Sequence, residues 1–206
     1  HVLGNLAETY EKLNKPDSAI YFSRQSLQKA TAISSTRGMA TGALNIGNAF
    51  LLSKEIDSAS KYFRLTKQNA INAGEFDVEL TAYSGLAECA FYHKDKVGAY
   101  QFLTQGFKIL KDYPQLNDFY AGMFLGVAIK IYRNYGEYKL LNKTLELKSN
   151  RETLTYNRNN TQIQSLLLTG IQNEKTIFNL ELAESKNKQS LANIRMYVLL
   201  LALLTT

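Results

Sequence analysis

The chain has 206 residues, 45% hydrophobic and 20% charged, with a formal net charge of +6 at pH 7. That apolar fraction excludes a wholly disordered chain, and only two prolines point away from a loop-rich β-sandwich and towards long helices. A single cysteine, Cys89, excludes an internal disulfide framework and a multi-cysteine zinc site, and His1 and His93 are the only histidines.

The first segment, Leu3, Leu6, Ala7, Tyr10 and Leu13, follows the 3, 4, 7 spacing of one buried helical stripe. A polar turn, Leu13-Asn14-Lys15, precedes Pro16, which suits the first turn of a second helix because no N–H is needed there. Asp17-Ser18-Ala19 then recurs as Asp57-Ser58-Ala59, about forty residues later. The same offset pairs Asn5 with Asn45, Arg24 with Arg64, Gln28 with Gln68 and Ala30 with Ala70. A third copy carries Leu86, Ala87 and Ala99. A looser fourth, shifted by about two residues, carries Ala128, Tyr132, Tyr135 to Tyr138 and Leu141. Each unit reads as two helices joined by a short turn, the later turns being Ser53-Lys54-Glu55, His93-Lys94-Asp95 and Asn134-Tyr135-Gly136. Ala7, Gly47 and Ala87 are small where a neighbouring helix must come close, as are Ala19, Ala59 and Ala99, with Tyr10, Phe22, Phe50 and Phe63 filling the space beside them. The period of about 40 implies lengthened helices or linkers such as 71–77. Gly122 and Gly126 have small-xxx-small spacing and are expected to pack closely in the fourth unit.

After Leu145 the pattern changes to one long helix with coiled-coil potential. Its seam is Ile163, Leu166, Ile177, Leu180, Leu191 and Ile194, interrupted by Gly170, Asn173, Glu184 and Asn187. Polar seam positions weaken pairing and can fix its register. One unbroken helix over 151–206 would span about 84 Å. From Met196 the chain carries no charge. The run is short of the roughly 20 residues a bilayer needs, so 196–206 reads as the start of a truncated transmembrane helix, with a buried terminal helix as the alternative. Arg195 would snorkel to the headgroups.

Chemistry is sparse. Cys89 and His93 share a helix face, but two ligands do not make a zinc site; burial of Cys89 and a turn position for His93 are expected instead. The segment from Gly38 to Gly42 lacks the Lys-Ser/Thr ending of a phosphate-binding loop. The basic-leaning stretch 139–158 reads as a solvated helix face. No catalytic residue, cofactor, metal or direct nucleic-acid contact is expected.

The repeated units resemble the tetratricopeptide repeat, through Leu6-Ala7-x-x-Tyr10 with Ala19, Ile46-Gly47-x-x-Phe50 with Ala59 and Phe63, and Leu86-Ala87 with Ala99. The family's Trp is replaced by Leu3, Ala43 and Tyr83, and its inter-repeat Pro is absent. The resemblance implies an all-α solenoid of about four helical hairpins over residues 1–145. It also implies a groove lined by the first helix of each pair, here Asn5, Glu8, Glu11, Asn45, Asn48, Leu52, Ser84, Glu88, Tyr92, Lys130 and Arg133. Such a groove is acidic at its start, amide-rich and apolar in the middle, and basic at the fourth unit. It suits an extended peptide, whose backbone can pair with amide side chains. The basic carboxylate clamp of chaperone-tail binders is missing, since Thr81 and Gly85 occupy its places.

The order of repeats (1–145), connector or coiled coil (146–195) and apolar segment (196–206) is similar to the sensor region of Bacteroidetes-type membrane signalling proteins. That resemblance implies a non-catalytic module binding a peptide or protein. It implies homodimerisation through the connector and a relay to a membrane-linked output domain, a histidine kinase or a helix-turn-helix regulator. It further implies a single-pass membrane location with periplasmic repeats, cytoplasmic repeats being the alternative. A soluble scaffold or adaptor, or the peptide-sensing region of a DNA-binding regulator, are the competing readings.

Overall fold

The computed structural model describes the backbone of residues 2–204 and the side chains of residues 2–196. Its elements are all helices: α1 (Val2–Lys12), α2 (Pro16–Ala32), α3 (Thr36–Leu52), α4 (Ile56–Ala73), α5 (Phe76–Tyr92), α6 (Lys96–Asp112), α7 (Asp118–Asn134) and α8 (Tyr138–Leu204). The chain divides into two units, His1–Glu152 and Thr153–Thr206.

The first unit is built from a twenty-residue module. Helices α2, α3, α5 and α6 have 17 residues, α4 has 18, and tight turns join them. Each turn hinges on a residue in the left-handed region: Asn14 (φ 55°), Ser34 (53°), Lys54 (63°), Gly74 (67°) and Lys94 (61°). The residue after it donates to a carbonyl five positions back, as Lys15 N to Tyr10 O (2.9 Å), Glu55 N to Phe50 O (2.9 Å) and Asp95 N to Ala90 O (2.9 Å). This pattern ties up carbonyls that the helix end would leave unpaired. The next hinge in the series falls on Pro114, whose ring locks φ near −65°. No left-handed hinge can form there. The chain instead runs through Tyr113 to Asn117, and the following hinge stands at Gly136 (φ 71°). This loop is the physical origin of the two-residue shift of the fourth pair.

Helix starts are capped locally. Pro16 opens α2. Ser35 Oγ accepts from Gly38 N (3.2 Å), Asp95 Oδ1 from Gly98 N (2.8 Å) and Asn117 Oδ1 from Phe119 N (2.9 Å), each satisfying a free first-turn N–H.

Within each pair the small residues sit at the helix crossings. Ala7, Ala19, Ala59, Ala87 and Ala99 are buried. Phe63 of α4 lies against Gly47 of α3 and Gly85 of α5: a Cβ on either glycine would stand 2.8 Å or 2.6 Å from the ring. Tyr10 stacks on Phe22 at 5.3 Å. First helices pack on one another along the series, α1 on α3, α3 on α5 and α5 on α7; α1, α3 and α5 each also pack on their own second helix, and Leu141 of α8 joins the core cluster of α7. Successive first helices thus form one continuous face.

Four expectations are corrected. Residues 71–77 are not a linker: α4 runs to Ala73 and α5 begins at Phe76, so the long period resides in longer helices. Gly122 and Gly126 do not mediate close packing, because nothing lies within 4 Å of a Cβ built on either. The fourth turn is one residue later than expected, since Asn134 still belongs to α7. The stripe on α1 is only partly buried: Ala7 is enclosed, while Leu6 and Leu13 are exposed, because among the described residues α1 has neighbours in α2 and α3 alone.

In the second unit, 153–204 is continuous helix belonging to α8. The seam residues Ile163, Leu166, Ile177, Leu180, Leu191 and Ile194 are 55–72% exposed. Among the described residues no helix is long and apolar enough to cross a membrane. The expected membrane segment 196–206 lies, apart from the Met196 side chain, outside the residues whose side chains are described.

Candidate functional site

The continuous face of α1, α3, α5 and α7 carries two polar crossings. At its far end Lys130 Nζ of α7 donates to Glu88 Oε1 of α5 (2.6 Å) and to the Tyr92 hydroxyl (3.1 Å). The ammonium also lies 4.7 Å from the Tyr92 ring centroid and 5.5 Å from that of Phe91, within cation–π range. Burial by itself would lower the Lys130 pKa, but the Glu88 and Tyr92 contacts outweigh it and raise the value. The lysine is therefore a fixed cation at neutral pH.

At the near end Glu11 of α1 is hydrogen-bonded by Asn48 of α3. Burial raises the Glu11 pKa above its ordinary 4.5; the Asn48 bond lowers it in part, and Glu8 raises it again by repulsion. The repeat offset places Glu8, Asn48, Glu88 and Lys130 at one equivalent position on the four first helices. They form a ladder across the face.

The other expected lining residues divide by exposure. Asn5, Leu52 and Arg133 are exposed, and Asn45 and Ser84 are buried. The Asn45 Nδ2 has no hydrogen-bond partner among the described residues; Gly4 of α1 stands beside it, its Cβ position 4.0 Å away. Thr81 and Gly85 are buried. Sequence reasoning missed Phe91, which reads as an ordinary packing residue yet supplies a second ring beneath the lysine.

Cys89 and His93 do not converge on one site. Cys89 is buried, and burial pushes its thiol up to about 12. His93 caps the end of α5 with its Nε2 3.1 Å from Asp57 Oδ1. Among the described residues no group of three or more His, Cys, Asp or Glu could hold a metal ion.

Helical hairpins in series, with first helices forming a polar-lined face, define a tetratricopeptide-like repeat module. No family model matches the sequence, and no curated protein does. Solved structures share the fold, two of them with TM-scores above 0.6. One is a Rap protein complexed with Competence and Sporulation Factor, 14% identical, with a TM-score of 0.65 over 73% of this chain and 42% of that one. The other is BtubC (BKLC) from P. vanneervenii, 14% identical, with a TM-score of 0.61 over 75% of this chain and 63% of that one. The chain thus spans less than two thirds of either neighbour.

Proposed function

We propose that residues 1–152 bind an extended peptide or protein segment along the face of α1, α3, α5 and α7. The observation that carries this reading is the ladder Glu8, Asn48, Glu88 and Lys130. Polar side chains recur at one register on successive first helices, on a face the solenoid does not need for its own core. The shared fold with a Rap protein solved in complex with Competence and Sporulation Factor supports it. The ligand presents backbone groups to Asn48 and a positive group to Glu8 and Glu11.

Occupancy is relayed by α8. Two copies pair through Ile163, Leu166, Ile177 and Leu180, and a bound ligand biases their relative position. The segment from Met196 enters a membrane and leads to an output domain such as a histidine kinase, with the repeats on the periplasmic side. The exposed apolar seam of α8 supports the pairing.

The test is selection of a random displayed peptide library on the full chain, followed by calorimetric titration of the enriched peptides. Lys130→Glu and Asn48→Ala each weaken binding at least tenfold. Peptides that bind both variants as tightly as the parent chain would remove the groove from consideration.

A further inference from the structure

The docking of α8 onto the repeats changes character along its length. Leu141 and Thr144 are buried, as Ala59 and Ala99 are near the starts of α4 and α6. Burial then continues through Phe63, Thr66 and Ala70 in α4, and through Leu103, Gly106, Ile109 and Leu110 in α6. With the two-residue shift of the fourth pair, the counterparts of those α6 residues are Leu145, Lys148, Arg151 and Glu152. None of the four is buried, and Leu145 is 40% exposed. Buried packing therefore holds α8 as far as Thr144.

Beyond that point the tie is polar. Arg151 Nη1 donates to Asp118 Oδ1 (2.9 Å), in the first turn of α7, and its Nη2 donates to the Pro114 carbonyl (2.8 Å). The Arg151 side chain is 15% exposed and stands where α6 has Ile109. A planar guanidinium serves two acceptors at once in a fixed fork, which the compact ammonium of lysine does not. The second acceptor comes from the break in the hinge series. Pro114 lies between α6 and α7, where its locked φ rules out the left-handed hinge, and its carbonyl is left to a side-chain donor. The loop is a fixed anchor: Tyr113 stacks on Phe76 at 3.7 Å, and Asp77 Oδ1 accepts from the backbone N–H of Asn117 (3.2 Å).

An ion pair near the surface adds little net stability and weakens as salt rises. A helical segment held by such a fork, with no buried side chain of its own, leaves its seat without opening the core beneath it.

We propose that Arg151 is a releasable latch. Engaged, it seats residues 145–152 of α8 on the start of α7. Released, it frees that segment from Leu145 onwards while the packing of residues 2–144 persists. Asp118 belongs to the helix that carries Lys130 and Arg133, so the latch is an ionic link between a groove helix and the start of the connector. Its operation does not depend on what the groove binds.

The test is amide hydrogen exchange of the full chain, read by mass spectrometry. In Arg151→Met, exchange in segments 113–118 and 145–152 rises at least fivefold over the parent, and exchange in 56–92 is unchanged. Arg151→Lys, which keeps the charge without the fork, falls between the two. In about 1 M salt the same two segments of the parent speed up at least threefold, while Arg151→Met does not respond, because only the parent has a charge pair to screen there. Unchanged exchange in both segments of Arg151→Met overturns the proposal. A rise that spreads through 56–92 also overturns it, since the arginine is then a general support of the fold. An equal salt response in the parent and Arg151→Met overturns it as well.

Discussion

The ring of Phe63 occupies the volume a side chain at Gly85 would need: a Cβ there would stand 2.6 Å from three ring atoms. One aromatic of α4 thus fixes how closely α5 can approach. Gly85→Ala forces the ring or the helix to move, and overpacking of this kind costs about 1–3 kcal/mol. Gly122→Ala, with nothing within 4 Å of its Cβ, gains helix propensity of up to about 1 kcal/mol. Chemical denaturation of both variants checks the opposite signs.

Lys54 and Lys94 hold left-handed backbone without being glycine, a conformation that strains an L-residue by roughly 1–2 kcal/mol. Replacing either by Gly relieves the strain, partly offset by the greater freedom of the unfolded chain. Each variant is expected to gain about 0.5–1 kcal/mol, visible as a raised midpoint at unchanged m-value. A loss would mean the lysine side chain contributes more than its backbone costs.

The Lys130–Glu88 pair links two first helices across the groove at 2.6 Å, with both side chains partly exposed. Its coupling in a double-mutant cycle with Lys130→Met and Glu88→Gln is expected at about 0.5–1 kcal/mol. The coupling falls as salt rises; a salt-independent value would point to the ring contacts instead.

Burial and Glu8 hold the Glu11 carboxyl above 4.5. The folded state then binds this proton more tightly than the unfolded chain, so the Glu11 contribution turns against stability as pH rises past 4.5. Glu11→Gln is expected to gain stability at pH 7 and to match the parent near pH 4. The two stability-versus-pH curves test this, and an equal gap at both pH values contradicts it.

Ile177 and Leu180 are 56% and 65% exposed on α8. Ile177→Asp with Leu180→Asp is expected to reduce self-association at least tenfold in sedimentation equilibrium, while unfolding of residues 1–152 is unchanged. A parent chain that is monomeric under the same conditions removes the connector dimer.

Much of the solenoid was legible in the chain. The recurrence of Asp17-Ser18-Ala19 at Asp57 reports repeated helix crossings, because only small residues fit where two backbones approach. Short polar turns mark the hinges within pairs. The hinges between pairs, at Ser34 and Gly74, were hidden, since Ser and Gly are also common in longer connections and the hinge is set by backbone pairing. The glycines at 122 and 126 misled for the opposite reason. Spacing alone cannot say whether a neighbour is present.

Periodicity and residue size by themselves determined that the chain is helical, that it repeats about every 40 residues, and that its character changes after Leu145. These are local properties: each residue carries its own volume and polarity wherever the chain goes. Which side chains meet was decided only by the tertiary structure. Glu88 and Lys130 are 42 positions apart in sequence and become partners because α5 and α7 pack side by side. Asn45 and Asn48 lie one helical turn apart, yet one is buried and the other opens to Glu11, a difference set by the neighbouring helix α1.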